Sequence, residues 1–192
     1  MKKIVLFVLT ALFMFSGCNS PKKTEEKKDT FVVDNYTKQE VDIEMRDGKK
    51  LHTTIYSPKD TSKDYPILMQ RTPYSSRPYG AGMKTKIGPN VHLMKEGNIV
   101  VYQDVRGRWM SEGVYDNMRA YKPNKADNES DEVSDTYDTI DWLVNNVANN
   151  NGKVGTWGIS YPGHYATISA IDAHPALKAA SPQACIGDFF FD

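Results

Sequence analysis

The chain has 192 residues, 40% of them apolar and 25% charged, which suffices for one well-cored domain of ordinary globular composition. Its 24 basic and 24 acidic residues cancel to a formal net charge of zero, which argues against a nucleic-acid binder, with its basic excess or basic face. Past the first residues, no stretch approaches the roughly twenty apolar residues needed to cross a bilayer as a helix.

The first segment reads as a targeting signal. Lys2 and Lys3 give a positive start, Ile4 to Phe15 an uncharged apolar run, and Ser16-Gly17-Cys18 a close of small residues and a cysteine. It resembles a bacterial lipoprotein signal over residues 1–18, in which Cys18 is lipidated and becomes the mature N-terminus. Phe15 stands where Leu, Val or Ile is usual, and an ordinary signal peptide with an incidental cysteine is the alternative. The location implied is the bacterial cell envelope, exported and lipid-anchored, on the periplasmic or the outer side. Residues 19–38 are expected to form a polar tether, since Asn19 to Thr30 is mixed in charge and has no apolar face to bury. With Cys18 lipidated, Cys185 has no disulfide partner in this chain, and neither cysteine has the Cys-x-x-Cys spacing of a structural zinc site.

The folded part is expected over residues 39–192. Val41 to Met45 alternates as a half-buried strand does, Asp47-Gly48 is a turn, and Leu51 to Tyr56 is the returning strand. Pro66 to Met69 is a short apolar run that ends at Arg71-Thr72-Pro73-Tyr74, and a Gly-, Pro- and Ser-rich loop follows through Gly82. Val91 to Glu96 is a helix closed by Gly97, and Asn98 to Gln103 a buried strand. Asn117 to Asp131 is polar and irregular and reads as a surface insertion. Ser134 is the expected cap of a helix running to about Ala148, with Ile140, Leu143, Val144 and Val147 on its apolar face. Val154 to Trp157 is a short strand, Gly163 to Ala173 a helix, and Leu177 to Ser181 another strand. Strands alternating with helices predict an α/β fold with a parallel sheet covered on both faces.

Gly158-Ile159-Ser160-Tyr161-Pro162-Gly163 is a Gly-x-Ser-x-Gly pattern relaxed by one residue before its last glycine. Placed between a strand and an apolar helix, it reads as a nucleophile elbow, whose strained turn lifts the Ser160 hydroxyl above the sheet. The Tyr161 peptide N–H, at the helix N-terminus, can then donate to an oxyanion. The fold class expected is thus the N-terminal portion of an α/β-hydrolase fold. Trp157 and Tyr161 flank the elbow either as walls of an acyl pocket or, as is commoner, as packing.

Several segments together resemble the X-Pro dipeptidyl-peptidase and cocaine-esterase-like serine hydrolases. They are Arg71-Thr72-Pro73-Tyr74; Gln103 to Arg108 with Ser111-Glu112-Gly113; Asp135 to Asp138 before Asp141-Trp142; Tyr161 after Ser160; and His174 to Lys178 before Ser181 to Ala184. Within that group the likeness is nearest to α-amino-acid ester hydrolases and glutaryl-cephalosporin acylases. It implies cleavage of esters or amides of amino acids or short acyl groups, with a small-molecule or short-peptide substrate and no cofactor or metal. An X-Pro dipeptidyl peptidase is the alternative, and a surface lipoprotein using a non-catalytic hydrolase fold is the alternative from another class. The resemblance also gives the Tyr74 hydroxyl as the second oxyanion donor, a packed aromatic after a turn proline being the other reading. It implies Asp192 as one of the carboxylates that receive the substrate ammonium. Asp104, Arg106 and Arg108 are expected to pair and brace the loop beside the site.

A serine nucleophile needs a histidine base and an acid to orient it, and in this fold both follow the serine. His52 and His92 precede Ser160, and His164 and His174 sit on the helix behind it, so all four read as surface or packing residues. The expectation is a fragment, inactive alone, with the acid, the histidine, a helical cap and a C-terminal jelly roll beyond Asp192.

Overall fold

A computed structural model of the chain describes residues 29–187. Cys18, the first half of the expected tether (residues 19–28) and Asp192 lie outside the described residues.

Six strands form one sheet in the order β1-β2-β4-β3-β5-β6. They are β1 (Tyr36–Glu44), β2 (Lys50–Pro58), β3 (Tyr65–Thr72), β4 (Ile99–Asp104), β5 (Asn150–Ile159) and β6 (Leu177–Gln183). The helices are α1 (Phe31–Asn35), α2 (Val91–Glu96), α3 (Glu132–Asn146) and α4 (Tyr161–Ile168). The sheet is mixed rather than wholly parallel. β1 and β2 form an antiparallel hairpin and β2 meets β4 antiparallel, while β4, β3, β5 and β6 run parallel. The short Asp47-Gly48 turn forces the first reversal, because parallel neighbours need a long crossover.

Packing begins before the expected boundary at residue 39. The apolar run Phe31-Val32-Val33 forms α1, and Val32 and Tyr36 are buried against Tyr56 and Met94. β4 alternates between the two faces: Val100 and Tyr102 meet α2, and Ile99 and Val101 meet α3 through Ile140 and Leu143. α4 packs on β5, β6, β3 and α3, so it covers the same face as α3. The helix after β3 and the helix after β5 therefore leave adjacent strands toward opposite faces. Such a switch between adjacent strands marks the usual place for a ligand in sheets of this kind, at the strands' C-terminal ends.

The cap of α3 is Asp131, not Ser134. Its carboxylate accepts from the Ser134 N–H at 2.8 Å, and the Ser134 hydroxyl accepts from the Asp131 N–H at 2.8 Å. Ser134 belongs to this reciprocal box three residues inside the helix, because Glu132 and Val133 already fit helical backbone. α4 starts two residues earlier than Gly163, since Pro162 is tolerated in a first turn, where no intrahelical acceptor awaits its nitrogen. It stops at Ile168, earlier than Ala173, where the N–H groups of Ala170 and Ile171 turn to acceptors three residues back.

Candidate active site

Ser160 follows the last residue of β5 and caps α4 with φ 60° and ψ −122°, a backbone conformation few non-glycine residues adopt. It is held there from both sides. Its N–H donates to the Gln183 carbonyl at 2.9 Å, and its carbonyl accepts from the His164 N–H at 3.1 Å. The residue is exposed, and its hydroxyl makes no capping bond to the helix.

Both flanking glycines are required by contact. A Cβ on Gly158 would lie 2.2 Å from the Pro162 carbonyl oxygen, and one on Gly163 would lie 2.8 Å from the Gln183 carbonyl oxygen. The second glycine thus does its work one position later than in the five-residue pattern, because it is Gly163 that passes β6 closely. Tyr161 is the first residue of α4, so its N–H has no acceptor within the helix and is aimed beyond the helix N-terminus.

Tyr74 arrives from the adjacent strand. β3 and β5 pair with Met69 opposite Thr156, and the same register carried on brings Thr72 beside Ile159. The segments after these strands therefore emerge together, though they are far apart in sequence. Tyr74 is 62% exposed, and its ring meets the Tyr161 ring edge-on at 6.2 Å. Its N–H donates to Thr72 Oγ1 at 3.0 Å.

The loop after β4 reaches both tyrosines. The Pro73 carbonyl accepts from Trp109 Nε1 at 2.9 Å and from Arg108 Nε at 3.2 Å. The Tyr161 hydroxyl donates to Asn117 Oδ1 at 2.6 Å, accepts from the Met118 N–H at 2.9 Å and lies 2.7 Å from the Tyr115 hydroxyl. Burial, and then the bond to Tyr161, raise the Tyr115 phenol above its ordinary pKa. Tyr161 also stacks on Tyr165 at 5.4 Å, so its ring packs as well as bonds. Trp157 lies against Tyr102 on the α2 face, a packing position.

Asp104, Arg106 and Arg108 brace this loop, but not by pairing with one another. Asp104 accepts from the Ser76 N–H and the Tyr79 hydroxyl, each at 2.6 Å. Arg106 makes a two-pronged contact with Asp135 at 2.9 and 2.6 Å and reaches Asp47 at 2.6 Å. Burial disfavours its charge, yet the two carboxylates hold its pKa above the ordinary value. Arg108 lies over the Trp109 and Tyr115 rings. Successive residues of the loop point apart, which is why a local pairing is not formed.

Beneath the site lies a buried polar layer. Arg71 donates to Gln103 Oε1 at 2.8 Å and to the Glu132 carbonyl and Thr136 Oγ1 at 2.9 Å each, and it is ion-paired with Glu132 at 3.1 Å. Gln103 passes its amide to Thr53 and Thr139. Burial raises the Glu132 carboxyl pKa, against the lowering by Arg71.

The histidines stand away from Ser160 or are packed. His52 is buried on β2 with Nδ1 2.8 Å from Asp42, and β4 and β3 separate β2 from β5. Three strand spacings put it about 14 Å from the Ser160 strand. His92 opens α2, and His174 precedes β6 at the opposite end of the sheet, 3.4 Å from Asp141. His164, half-buried against the Tyr161 and Tyr165 rings, has its pKa pushed down by burial. The cleft of about 330 Å³ bounded by Thr37, Ser57, Tyr65 and Asn149 also lies at the starts of the parallel strands, far from the elbow. Trp109, Tyr115 and Asn117 are the site residues that sequence reasoning passes over. Asn117 falls at the edge of a segment that reads as a surface insertion, and only the run of aromatics around Ser111-Glu112-Gly113 hints at a packed loop.

Comparisons with known proteins give the family of the chain. The model of the X-Pro dipeptidyl-peptidase (S15) family matches residues 47–192. A cocaine esterase of Rhodococcus sp. (strain MB1 Bresler) is 31% identical over 148 residues, covering 77% of this chain and 23% of the esterase. Among solved structures, an aminopeptidase from a marine sediment Thaumarchaeota archaeon is 38% identical at TM-score 0.72, over 89% of this chain and 28% of its own. An α-amino-acid ester hydrolase is 38% identical at TM-score 0.71, over 87% and 29%. The chain therefore spans about a quarter of the length of these relatives. Their superposition places the sheet in the α/β-hydrolase class, in its N-terminal portion. On the family match across most of its length, this chain belongs to the X-Pro dipeptidyl-peptidase (S15) family.

Proposed function

We propose that the protein is a serine hydrolase that cleaves esters or amides of amino acids or short acyl groups through an acyl-enzyme on Ser160. The observation that carries this reading is the strained, exposed Ser160 at φ 60°, locked between β5 and α4 by Gly158, Gly163 and the Gln183 carbonyl. A turn serine with no chemical role has no need of such strain. In the reaction, Ser160 Oγ attacks the substrate carbonyl while its proton passes to a base. The carbonyl oxygen gains charge as the carbon becomes tetrahedral. The Tyr161 N–H and the Tyr74 hydroxyl donate to that oxygen, and collapse expels the alcohol or amine to leave an acyl-serine. Water then attacks the acyl group and frees the serine.

The α-amino-acid ester hydrolase among the solved relatives supports an amino-acid ester or amide as substrate. The family description supports a second reading, removal of an X-Pro dipeptide, which uses the same elbow. The test is a fluorophosphonate probe on the complete natural protein. It is expected to label Ser160, and Ser160→Ala is expected to abolish labelling and p-nitrophenyl ester turnover together. Label on another serine, or turnover in the variant, sinks the proposal.

A further inference from the structure

The Tyr74 hydroxyl and the Tyr161 N–H belong to different segments, and nothing within either segment sets the distance between them. Both segments are gripped by one loop, Val105 to Met118. On the Tyr74 side, the Pro73 carbonyl, one peptide before Tyr74, accepts from Trp109 Nε1 and Arg108 Nε. On the elbow side, the Tyr161 hydroxyl is held by Tyr115, Asn117 and the Met118 N–H, all within 2.9 Å. The loop is itself fixed at its base. The Val105 N–H donates to the Thr72 carbonyl, and the Gly107 N–H donates to Glu112 across the loop. Arg106 anchors it to Asp135 and Asp47. A hydrogen-bonded phenol at Tyr161 is not needed for that residue to donate its backbone N–H. The three contacts to the phenol therefore call for a purpose of their own.

We infer that the 105–118 loop is a clamp that sets the spacing of the two oxyanion donors, with Trp109 positioning Tyr74, and Tyr115 and Asn117 positioning Tyr161. This rests on the serine-hydrolase reading above. A donor contributes most when it is pre-placed for the transition-state oxygen, so loosening the clamp acts on kcat rather than on substrate binding. None of these residues touches the substrate in this scheme. They are positioning residues.

The experiment is a pair of kinetic cycles on the complete natural protein, reading kcat and KM for a p-nitrophenyl ester. Trp109→Phe keeps a six-membered ring and removes the Nε1 donor, leaving Arg108 as the other donor to the Pro73 carbonyl. It is expected to lower kcat about tenfold with KM little changed. In a Tyr74→Phe background the same substitution is expected to cost less than about twofold, because the hydroxyl it aims is gone. The second cycle, Tyr115→Phe against Tyr161→Phe, is expected to show the same non-additivity and covers the case in which Trp109→Phe fails to fold. Equal losses in both backgrounds, or no loss in either, overturn the clamp, because a merely structural loop would weaken every variant alike. Those results leave the hydrolase reading intact as long as Ser160 still takes the fluorophosphonate label. Failure of that label in the unaltered protein sinks the underlying reading instead.

Discussion

Arg71 and Tyr74 stand three residues apart in one motif, yet one is buried beneath the sheet's C-terminal rim and the other is exposed on it. Arg71 is 3% exposed and spends its guanidinium on Gln103, Glu132 and Thr136 under α3. Tyr74 is 62% exposed above the elbow. The same division runs through the whole site. Ser160, Tyr161 and Tyr74 lie on the rim, where backbone strain and unspent donors persist. Arg71, Gln103, Arg106 and Asp135 lie below, where most polar groups are hydrogen-bonded or ion-paired. A buried charge that loses its partner is costly, so the lower layer must be complete before the upper one can be held in a strained form. A shared motif therefore mixes a residue that the proposed reaction uses with a residue that braces the sheet beneath it.

Substitution separates the two layers by their readouts. The largest effect is expected at Ser160, where Ala should lower kcat by about 10⁶-fold while leaving the thermal midpoint nearly unchanged. Asp135→Ala should do the reverse. Asp135 is fully buried and takes both prongs of Arg106, so its loss strands buried guanidinium and should cost about 3–5 kcal/mol of stability. Denaturant unfolding of the complete protein checks this, and a loss under about 1 kcal/mol would show that the lower layer is not what holds the rim.

Tyr74→Phe comes next. Removing one oxyanion donor should lower kcat about 10²–10³-fold, equivalent to about 3–4 kcal/mol at the transition state, with unfolding unaltered. A change in KM alone would return Tyr74 to the role of a packed aromatic.

The smallest effect belongs to the α3 cap. Asp131→Ala should cost about 1–2 kcal/mol at neutral pH. Burial works against the Asp131 carboxylate, but the N–H groups of Lys122 and Ser134 and the Lys125 ammonium hold its pKa below the ordinary carboxylate value. A lowered folded pKa means that its contribution is present above the unfolded pKa, about 4, and is lost as pH falls through the lower folded value. The gap in stability between wild type and variant should therefore close in acid. A gap that is unchanged at about pH 2 would place the cap's worth in shape rather than charge.

Much of the lower scaffold could be read along the chain. The β-branched run within Asn98 to Gln103, the apolar face of Ile140, Leu143 and Val147, and the turn at Asp47-Gly48 are local patterns. Local physics decides them, and the structure differs mainly at element ends. Asp131 displaces Ser134 as cap because a carboxylate and a hydroxyl three residues apart bond reciprocally, a choice that is settled by geometry.

The elbow, too, could be read from the sequence, because strand, serine and helix are contiguous and Gly158 is called for by the Pro162 carbonyl close by in the chain, though Gly163 answers to the distant Gln183 carbonyl of β6. What could not be read is what stands beside it. Only the strand order β4-β3-β5 brings the Tyr74 segment next to Ser160, and only the path of the loop from Val105 to Met118 places Trp109 on Pro73 and Asn117 on Tyr161. By itself the sequence determined the strand–elbow–helix unit, the hairpin and the α3 face, because each depends on neighbours a few residues away. The tertiary structure alone decided which distant side chains meet. Strand adjacency is set by how the helices cross over the sheet to bury both its faces, and no periodicity along the chain records that choice.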